Sequence, residues 1–421
     1  MNDTLLIATV GGTPEPLVAS ELRWRPSRTI FVVSPETRNT VAGDIVPKLR
    51  ESAWPEFDAG RYDLHEITDS QDYSRIVNEL RPLESQVETW RRDHPSSEVI
   101  ADITAGTKAM SAALALIAGR FSCRISYVGG KERTKNGVGI VVSGKEQFIH
   151  ADNPADALGL VALDTALELI RNHAFGAAHA TLSRALRRVT DPARKDELHS
   201  LASFAEALAE WDRFQHNKAL NLLNKLPRHQ HNLKAAVGLV AARNILESSA
   251  KLQRHLGALV DADVRRPSRE LILDLLANAR RRMDEQRWDD ATARLYRAIE
   301  ATAQFYLAGH GIPETGKVPF DRLPESLRTK FSPPSSGTVK LGLQDAWELL
   351  RSLSPDTAEP FFSAGLAGKG DRDNRSPLQE RNSSILAHGF TPVGDKVSER
   401  LFKVALNLIG ASEAELPSIS I

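Results

Sequence analysis

Asp102-Ile103-Thr104-Ala105-Gly106-Thr107-Lys108-Ala109-Met110-Ser111 joins an apolar β-rich run, Val99–Ile103, to a helical one, Lys108–Arg120. Small residues let a backbone approach a ligand closely, and the start of a helix offers free N–H groups to an anion. Thr104, Thr107 and Lys108 add hydroxyl donors and one positive charge. Upstream, Thr9-Val10-Gly11-Gly12-Thr13-Pro14 ends the β-rich run Leu5–Val10 in a similar way. Further β-rich runs lie at Thr29–Val33, Asp63–Ile67 and Arg124–Val128, with helical stretches between the runs, clearest at Asp72–Trp90 and Lys108–Arg120. Such alternation predicts an α/β unit over residues 1–150, a mostly parallel sheet with helices on both faces. A last pair of runs, Val138–Val142 and Gln147–His150 around Ser143-Gly144, predicts an edge hairpin. In the 3-2-1-4-5 strand order of Rossmann-like sheets, the two glycine-marked turns are neighbours at the topological switch point, where ligands bind.

Two phosphate motifs are excluded. A P-loop needs Gly-x4-Gly-Lys-Ser/Thr, but Ala101 stands five before Gly106 and Thr107 separates Gly106 from Lys108. Gly11-Gly12-Thr13-Pro14 lacks the G-x-G-x-x-G of a dinucleotide site, although Glu36 stands where a ribose acid could be. The 421 residues carry 54 Lys plus Arg against 54 Asp plus Glu, so the chain is not a histone-like polycation. Positive charge is nevertheless concentrated near this sheet edge: from Ile103 to Lys145 there are seven Lys or Arg and one acid, Glu132. The single cysteine, Cys123, can form neither an internal disulfide nor a thiolate zinc cage, and its apolar surroundings predict a buried structural thiol. No run approaches a membrane span and the N-terminus lacks the features of a secretory signal, so a soluble cytoplasmic protein is expected.

After Asn153-Pro154 the composition shifts to Ala, Leu and Arg and the β signal fades. Phe175, Ala178, Leu182 and Leu186 share their spacing with Trp288, Ala291, Leu295 and Ile299, and the segment around Phe214 and Leu222 is a poorer third copy. That spacing is similar to tetratricopeptide-type helix hairpins, although plain antiparallel helix pairs would also produce it. Asp261–Ser268 reads as a boundary, which divides the helical part into a linking region, 151–265, and a C-terminal domain, 266–421.

In that last domain Ser376-Pro377-Leu378-Gln379 reads as a helix start, with Ser as N-cap, Pro at N1 and a capping-box Gln. Gly389 reads as its stop. Arg381 and His388, seven apart, would then share one helix face, bordering an apolar stripe of Leu378, Ile385 and Leu386. His388 would lie at the helix C-terminus, where the dipole favours imidazolium. Of the four Arg-Asn pairs, only Arg381-Asn382 has its arginine separated from a histidine by four to six residues; the similar spacing in Arg194…His199 reads as a solvated surface. His229-Gln230-His231 lies in a Pro-Arg-flanked loop with no cysteine nearby, so no metal is implied.

The Asp102–Met110 block resembles the D-x-T-G-G-T-K-x-M signature of CARF domains, the Rossmann-like sensors of CRISPR systems, with Ala105 in place of the commoner glycine. The turn Thr9–Thr13 is similar to the family's first ligand loop. The resemblance implies a pocket for cyclic oligoadenylate across a homodimer axis, lined by Thr9, Gly11, Gly12, Thr13, Ser34, Thr104, Ala105, Gly106, Thr107 and Lys108, with Thr37 beside Ser34. Arg381-Asn382-x5-His388 resembles the R-x4–6-H motif of HEPN ribonucleases. Arg294, Tyr296, Arg297, Glu300 and Gln304, on a helix expected over Asp289–Leu307, are similar to the first HEPN helix of such fusions. Together these imply a prokaryotic, CARF–HEPN effector of type III CRISPR defence. It would cleave single-stranded RNA without metal or other cofactor and be switched on by cyclic oligoadenylate. Arg381, Asn382 and His388 would be catalytic, leaving 2′,3′-cyclic phosphate and 5′-OH ends. Two other readings stay open: a sensor whose HEPN bundle is inactive and only dimerises or recruits, and a ring nuclease that degrades its own ligand through Thr107 or Lys108.

Overall fold

In the computed structural model, which describes residues 3–52, 54–121, 123–129, 147–152, 157–261, 266–332, 335–367 and 376–421, the β-rich runs of the first 150 residues become six strands. These are β1 (Thr4–Thr9), β2 (Arg28–Val33), β3 (Tyr62–Glu66), β4 (Glu98–Asp102), β5 (Arg124–Gly129) and β6 (Gln147–Asp152). Their order is β3-β2-β1-β4-β5-β6, with the first five parallel and β6 antiparallel to β5. The expected 3-2-1-4-5 order and antiparallel edge are therefore present, while the expected run Val138–Val142 lies outside the described residues.

The central strands are apolar on both faces because helices cover both. Leu5, Ile7, Ile30, Val32 and Val99 pack against Ile76, Leu80, Met110, Leu114 and Ile117 on one side. Leu6, Ala8, Phe31, Val33 and Ile100, one residue out of phase, pack against Leu17, Ile45 and Leu49 on the other. The helix expected over Asp72–Trp90 is two, Tyr73–Leu80 and Pro82–Asp93. Pro82 has no N–H to continue the first helix but suits the opening turn of the second. Cys123 is buried, its Sγ 3.6 Å from the Ala118 carbonyl oxygen.

By its internal contacts the chain divides into two units, Met1–Val161 with Arg187–Lys195, and Ala162–Leu186 with Asp196–Ile421. Within the second, a turn built on a left-handed non-glycine residue leads directly into a new helix three times among the described residues. His173, Phe214 and Gln286 each adopt a left-handed conformation, with φ of 62°, 60° and 58°. In each case the next residue's N–H closes a wide turn onto a carbonyl five residues back: Ala174 to Leu169, Gln215 to Glu210 and Arg287 to Arg282, at 2.8–2.9 Å. A new helix then starts at Phe175, His216 or Trp288. The repeat spacing read from the sequence holds for the first and third copies, with Ala178, Leu182, Ala291, Leu295 and Ile299 in the core. The middle copy is in a different register from the expected one. His216, Ala219 and Leu223 occupy the repeat positions, because Phe214 is the left-handed turn residue and not the first residue of the helix.

Two acids, Asp274 fully buried and Asp212 half-buried, hold this helical unit together. Asp274 accepts from Trp211 Nε1 at 2.6 Å and pairs with His216 Nε2 at 2.9 Å, while His255 Nε2 lies 3.6 Å away. Burial works against the Asp274 charge, but His216, His255 and the Arg281 guanidinium outweigh it and hold the carboxyl well below the usual range. Asp212 accepts from Arg281, Arg282 and Asn278 at 2.7–2.9 Å. Removing one member would strand the others, at about 3–5 kcal/mol for a buried ion pair. The C-terminal core packs the helices Arg269–Asp284, Trp288–Gly309, Leu343–Leu353, Pro355–Ser363 and Asp395–Ile409 around Leu295, Ile299, Trp347, Phe361 and Phe402.

Candidate functional site

The two glycine-marked turns meet. Gly11 lies so close to the second turn that a Cβ added there would sit 2.7 Å from the Gly106 backbone N, so only glycine allows the approach. Gly106 itself has φ +82°, a left-handed conformation, with Thr9 Cβ and Met110 packed round it. Thr9 is buried, and its Oγ1 donates to the Ala105 carbonyl oxygen at 2.5 Å; Ser111 Oγ donates to the same oxygen at 3.0 Å. Thr104 Oγ1 accepts from the Val128 N–H at 2.7 Å. Thr107 is the N-cap of the helix Lys108–Ala118, accepting from Met110 N–H at 3.2 Å while its hydroxyl donates to the Ser70 carbonyl oxygen at 2.5 Å. Ser34 is also buried, its hydroxyl donating to Glu36 at 2.5 Å and its N–H to Thr37 Oγ1 at 3.0 Å. Thr9, Ser34, Thr104 and Thr107 are thus engaged within the fold. Gly12, Thr13 and Lys108 lie exposed at the carboxyl end of the sheet.

Asp102, which opens the second block, is turned inward. It accepts from Ser20 Oγ at 2.5 Å and from the Thr104 N–H at 2.9 Å, tying the turn to the helix Glu15–Trp24. Burial pushes its carboxyl above the usual range, opposed by hydrogen bonds from Ser20, Thr104 and Ser126. Beside it, burial raises Glu21 to about 8, with the Thr29 hydroxyl opposing and Asp102 adding to the rise. Sequence reasoning missed this acid pair. Its only signal was a serine and a glutamate, Ser20 and Glu21, among the apolar residues of one helix face.

The C-terminal constellation departs from the expected single helix. The capping box at Ser376 and Gln379 forms as expected, but the helix is only Pro377–Asn382. Ser383 ends it: its hydroxyl back-bonds to the Gln379 carbonyl oxygen at 3.2 Å, and its N–H is shared between the Gln379 and Glu380 carbonyls at 3.1 Å. Serine competes with the helical ladder in this way. His388 therefore lies in a loop and not at a helix C-terminus, so the expected dipole effect on it and the shared face with Arg381 are both overturned. So is the apolar stripe: Leu378 is buried, but Ile385 is 63% exposed and Leu386 47%. The loop instead folds back. The His388 N–H donates to the Asn382 carbonyl oxygen at 3.2 Å, and Thr391 N–H to that of Ser383 at 3.1 Å. Gly389 is required for a reason the sequence did not give, since a Cβ there would meet the Ser383 carbonyl oxygen at 2.1 Å.

Arg381 is half-buried. Its guanidinium carbon sits 4.1 Å from the centroid of the Tyr296 ring, and Nη1 donates to Asn382 Oδ1 at 3.1 Å. Asn382 and His388 are both exposed. On the helix Trp288–Gly309, Arg297 pairs with Glu300 at 2.7 Å and reaches Gln304 Oε1 at 3.2 Å. Arg294 turns away to Asn278 and to the Asp290 carbonyl. Among the described residues no group of three or more His, Cys, Asp or Glu side chains is placed to hold a metal ion, and no helix is long and apolar enough to cross a membrane.

Residues 262–412 match the family model of the Csm6 HEPN domain, and residues 158–259 match that of the Csm6 6H domain. The CRISPR system endoribonuclease Csm6 of Thermus thermophilus is 27% identical over 434 residues, covering 97% of this chain and 85% of that protein. Among solved structures, Enterococcus italicus Csm6 bound to cyclic hexa-2'-fluoro-hexa-dAMP shares the fold with a TM-score of 0.52 at 11% identity, over 96% of this chain and 93% of that one. With two consecutive Csm6 domain models spanning more than half its length and a relative matched almost end to end, this chain belongs to the Csm6 family of CARF–HEPN proteins.

Proposed function

We propose that this protein is an endoribonuclease of CRISPR defence that cleaves single-stranded RNA when cyclic oligoadenylate occupies its N-terminal site. In this reading residues 1–150 sense the ligand, 151–265 link, and 266–421 cleave. The observation that carries it is the fold-back that brings the His388 backbone against Asn382, one residue from Arg381, on a surface loop. The Thermus thermophilus relative is an endoribonuclease by name, and the Enterococcus italicus protein was solved with a cyclic hexa-adenylate analogue.

The chemistry needs no cofactor. The RNA 2′-OH attacks its own phosphorus, the 5′-oxygen leaves with a proton, and 2′,3′-cyclic phosphate and 5′-OH ends result. His388 transfers a proton. The Arg381 guanidinium stabilises the phosphorane charge. Asn382, bonded to Arg381 Nη1, orients it. A second copy facing the first across a two-fold axis supplies the other proton-transfer group and covers Ile385, Leu386 and Phe390, the last 92% exposed. At the N-terminal end, Gly11, Gly12, Thr13, Ala105, Gly106 and Lys108 meet the ligand. Thr9, Ser34, Thr104 and Thr107 act through the loops they hold. The Thr107 hydroxyl is bonded to Ser70, which disfavours it as a nucleophile on a bound ring.

The test is RNA cleavage by purified protein against a panel of cyclic oligoadenylates of different ring size, with and without chelator. Cleavage with one ring size, insensitive to chelator and yielding cyclic-phosphate ends, is the expected result. No cleavage with any ring, or loss on chelation, overturns the reading.

A further inference from the structure

We propose that Tyr296 is a positioning residue for RNA cleavage, its ring face seating the Arg381 guanidinium in the orientation that meets the scissile phosphate. This rests on the assignment of Arg381 to the cleavage site. The guanidinium carbon lies 4.1 Å from the Tyr296 centroid, well inside the range of a cation–π contact. Little else fixes the side chain. Arg381 Nε is buried with no hydrogen-bond partner, and the bond from Nη1 goes to Asn382, its exposed neighbour at the end of a six-residue helix. The Tyr296 side has the opposite character. It stands on a 22-residue helix whose Thr292, Leu295 and Ile299 are fully buried, so the ring is held by the core.

A guanidinium held over a ring face by its central carbon leaves its N–H fork free for a bidentate phosphate contact. Without the ring, a long flexible side chain on a short helix has to be ordered during each turnover. The effect therefore falls on the transition state more than on substrate binding. Tyr296 also stays neutral, since burial and the nearby Glu300 push its phenol above the ordinary value, and a neutral ring is what the contact uses.

The experiment is steady-state RNA cleavage by the full-length protein with saturating activator, for Tyr296→Leu, Tyr296→Met, Tyr296→Phe, Arg381→Ala and the double variant Tyr296→Leu/Arg381→Ala. Leu and Met lower kcat about tenfold while KM stays within about twofold, as expected for loss of one desolvated cation–π contact. Phe, which keeps the ring, recovers kcat to within about threefold of the unmodified protein. The double variant is no slower than Arg381→Ala, because the ring acts only through the arginine. Wild-type kcat in the Met variant, equal losses for Phe and Leu, or additive losses in the double variant would each sink the proposal. A fully active Arg381→Ala would instead overturn the cleavage-site assignment beneath it.

Discussion

At the ends of β1 and β4, the hydroxyls of Thr9, Thr104 and Thr107 are bonded within the fold and two glycines touch backbone to backbone. At Arg381–Gly389, by contrast, a six-residue helix ends at the exposed Asn382 and gives way to a loop whose Ile385 and Leu386 face solvent. The first region has its shape before any ligand arrives. The second has its residues gathered, but its apolar side chains stand open to solvent. A binding site benefits from being organised in advance, since ordering on binding costs affinity. A cleavage site that must be idle until activated can leave its completion to a second copy. The difference in construction therefore matches the difference in proposed role.

The sharpest way to break this comparison is to remove the loop's chemistry. His388→Ala is expected to lower cleavage by about 10²–10⁴-fold and Arg381→Ala by about 10²–10³-fold. Activator affinity, read by calorimetry, stays at the wild-type value in both; a His388 variant with full activity removes the loop from the mechanism.

The two close-packed glycines probe construction more directly. Gly11→Ala forces a Cβ onto the Gly106 backbone, an overpacking of about 1–3 kcal/mol that lowers the melting temperature and weakens activator binding. Gly389→Ala forces a Cβ onto the Ser383 carbonyl in a surface loop. Cleavage falls by about tenfold or more while the melting temperature holds, because exposed loops carry little of the global stability. Equal thermal losses in the two variants would erase the proposed contrast.

Lys108→Glu tests the ligand-facing rim. Lys108 is exposed at the start of its helix, so the fold is untouched and activator affinity drops about tenfold or more, as for loss of a charge-assisted contact. Unchanged affinity removes Lys108 from the site.

The last test is one of pH and concerns the buried acids behind the turns. Glu21 is protonated in the fold up to about pH 8 but titrates near the ordinary carboxylate value once unfolded. Above that ordinary value the unfolded chain binds fewer protons than the folded one, so stability declines with rising pH until about pH 8 and then levels off. Glu21→Gln removes this share of the decline, which is of order a few kcal/mol. The share due to Asp102, whose carboxyl is also raised, remains. Parallel thermal profiles for the two proteins would show that Glu21 is not buried as a neutral acid.

Much of the fold was legible because its signals are local. Apolar β-rich runs, helical stretches between them and glycine at two turns were enough to order five strands. Ser376-Pro377-Leu378-Gln379 announced its own helix start, since a capping box is satisfied within four residues. The helix end was misread because Gly389 looked like a terminator. Ser383 had already stopped the helix, through a hydrogen bond whose outcome depends on what the following loop can reach. The repeat register failed at the middle copy for a related reason. An aromatic at a turn and an aromatic at a helix start look alike in sequence, and only the left-handed backbone at Phe214 separates them.

The sequence by itself determined which residues the sites are made from: glycines that no other residue can replace, a lysine at a helix start, and an Arg-Asn with a histidine a few residues on. Tertiary structure alone decided how they are held. Asp274 is charged because His216 and Arg281 reach it, and Asp102 faces inward because Ser20, 82 residues away in sequence, lies behind it. Tyr296 meets Arg381 across 85 positions, and nothing in either neighbourhood announces the contact. Backbone geometry and helix capping are settled within a few residues. Burial, charge pairing and ring stacking depend on partners that only folding brings together.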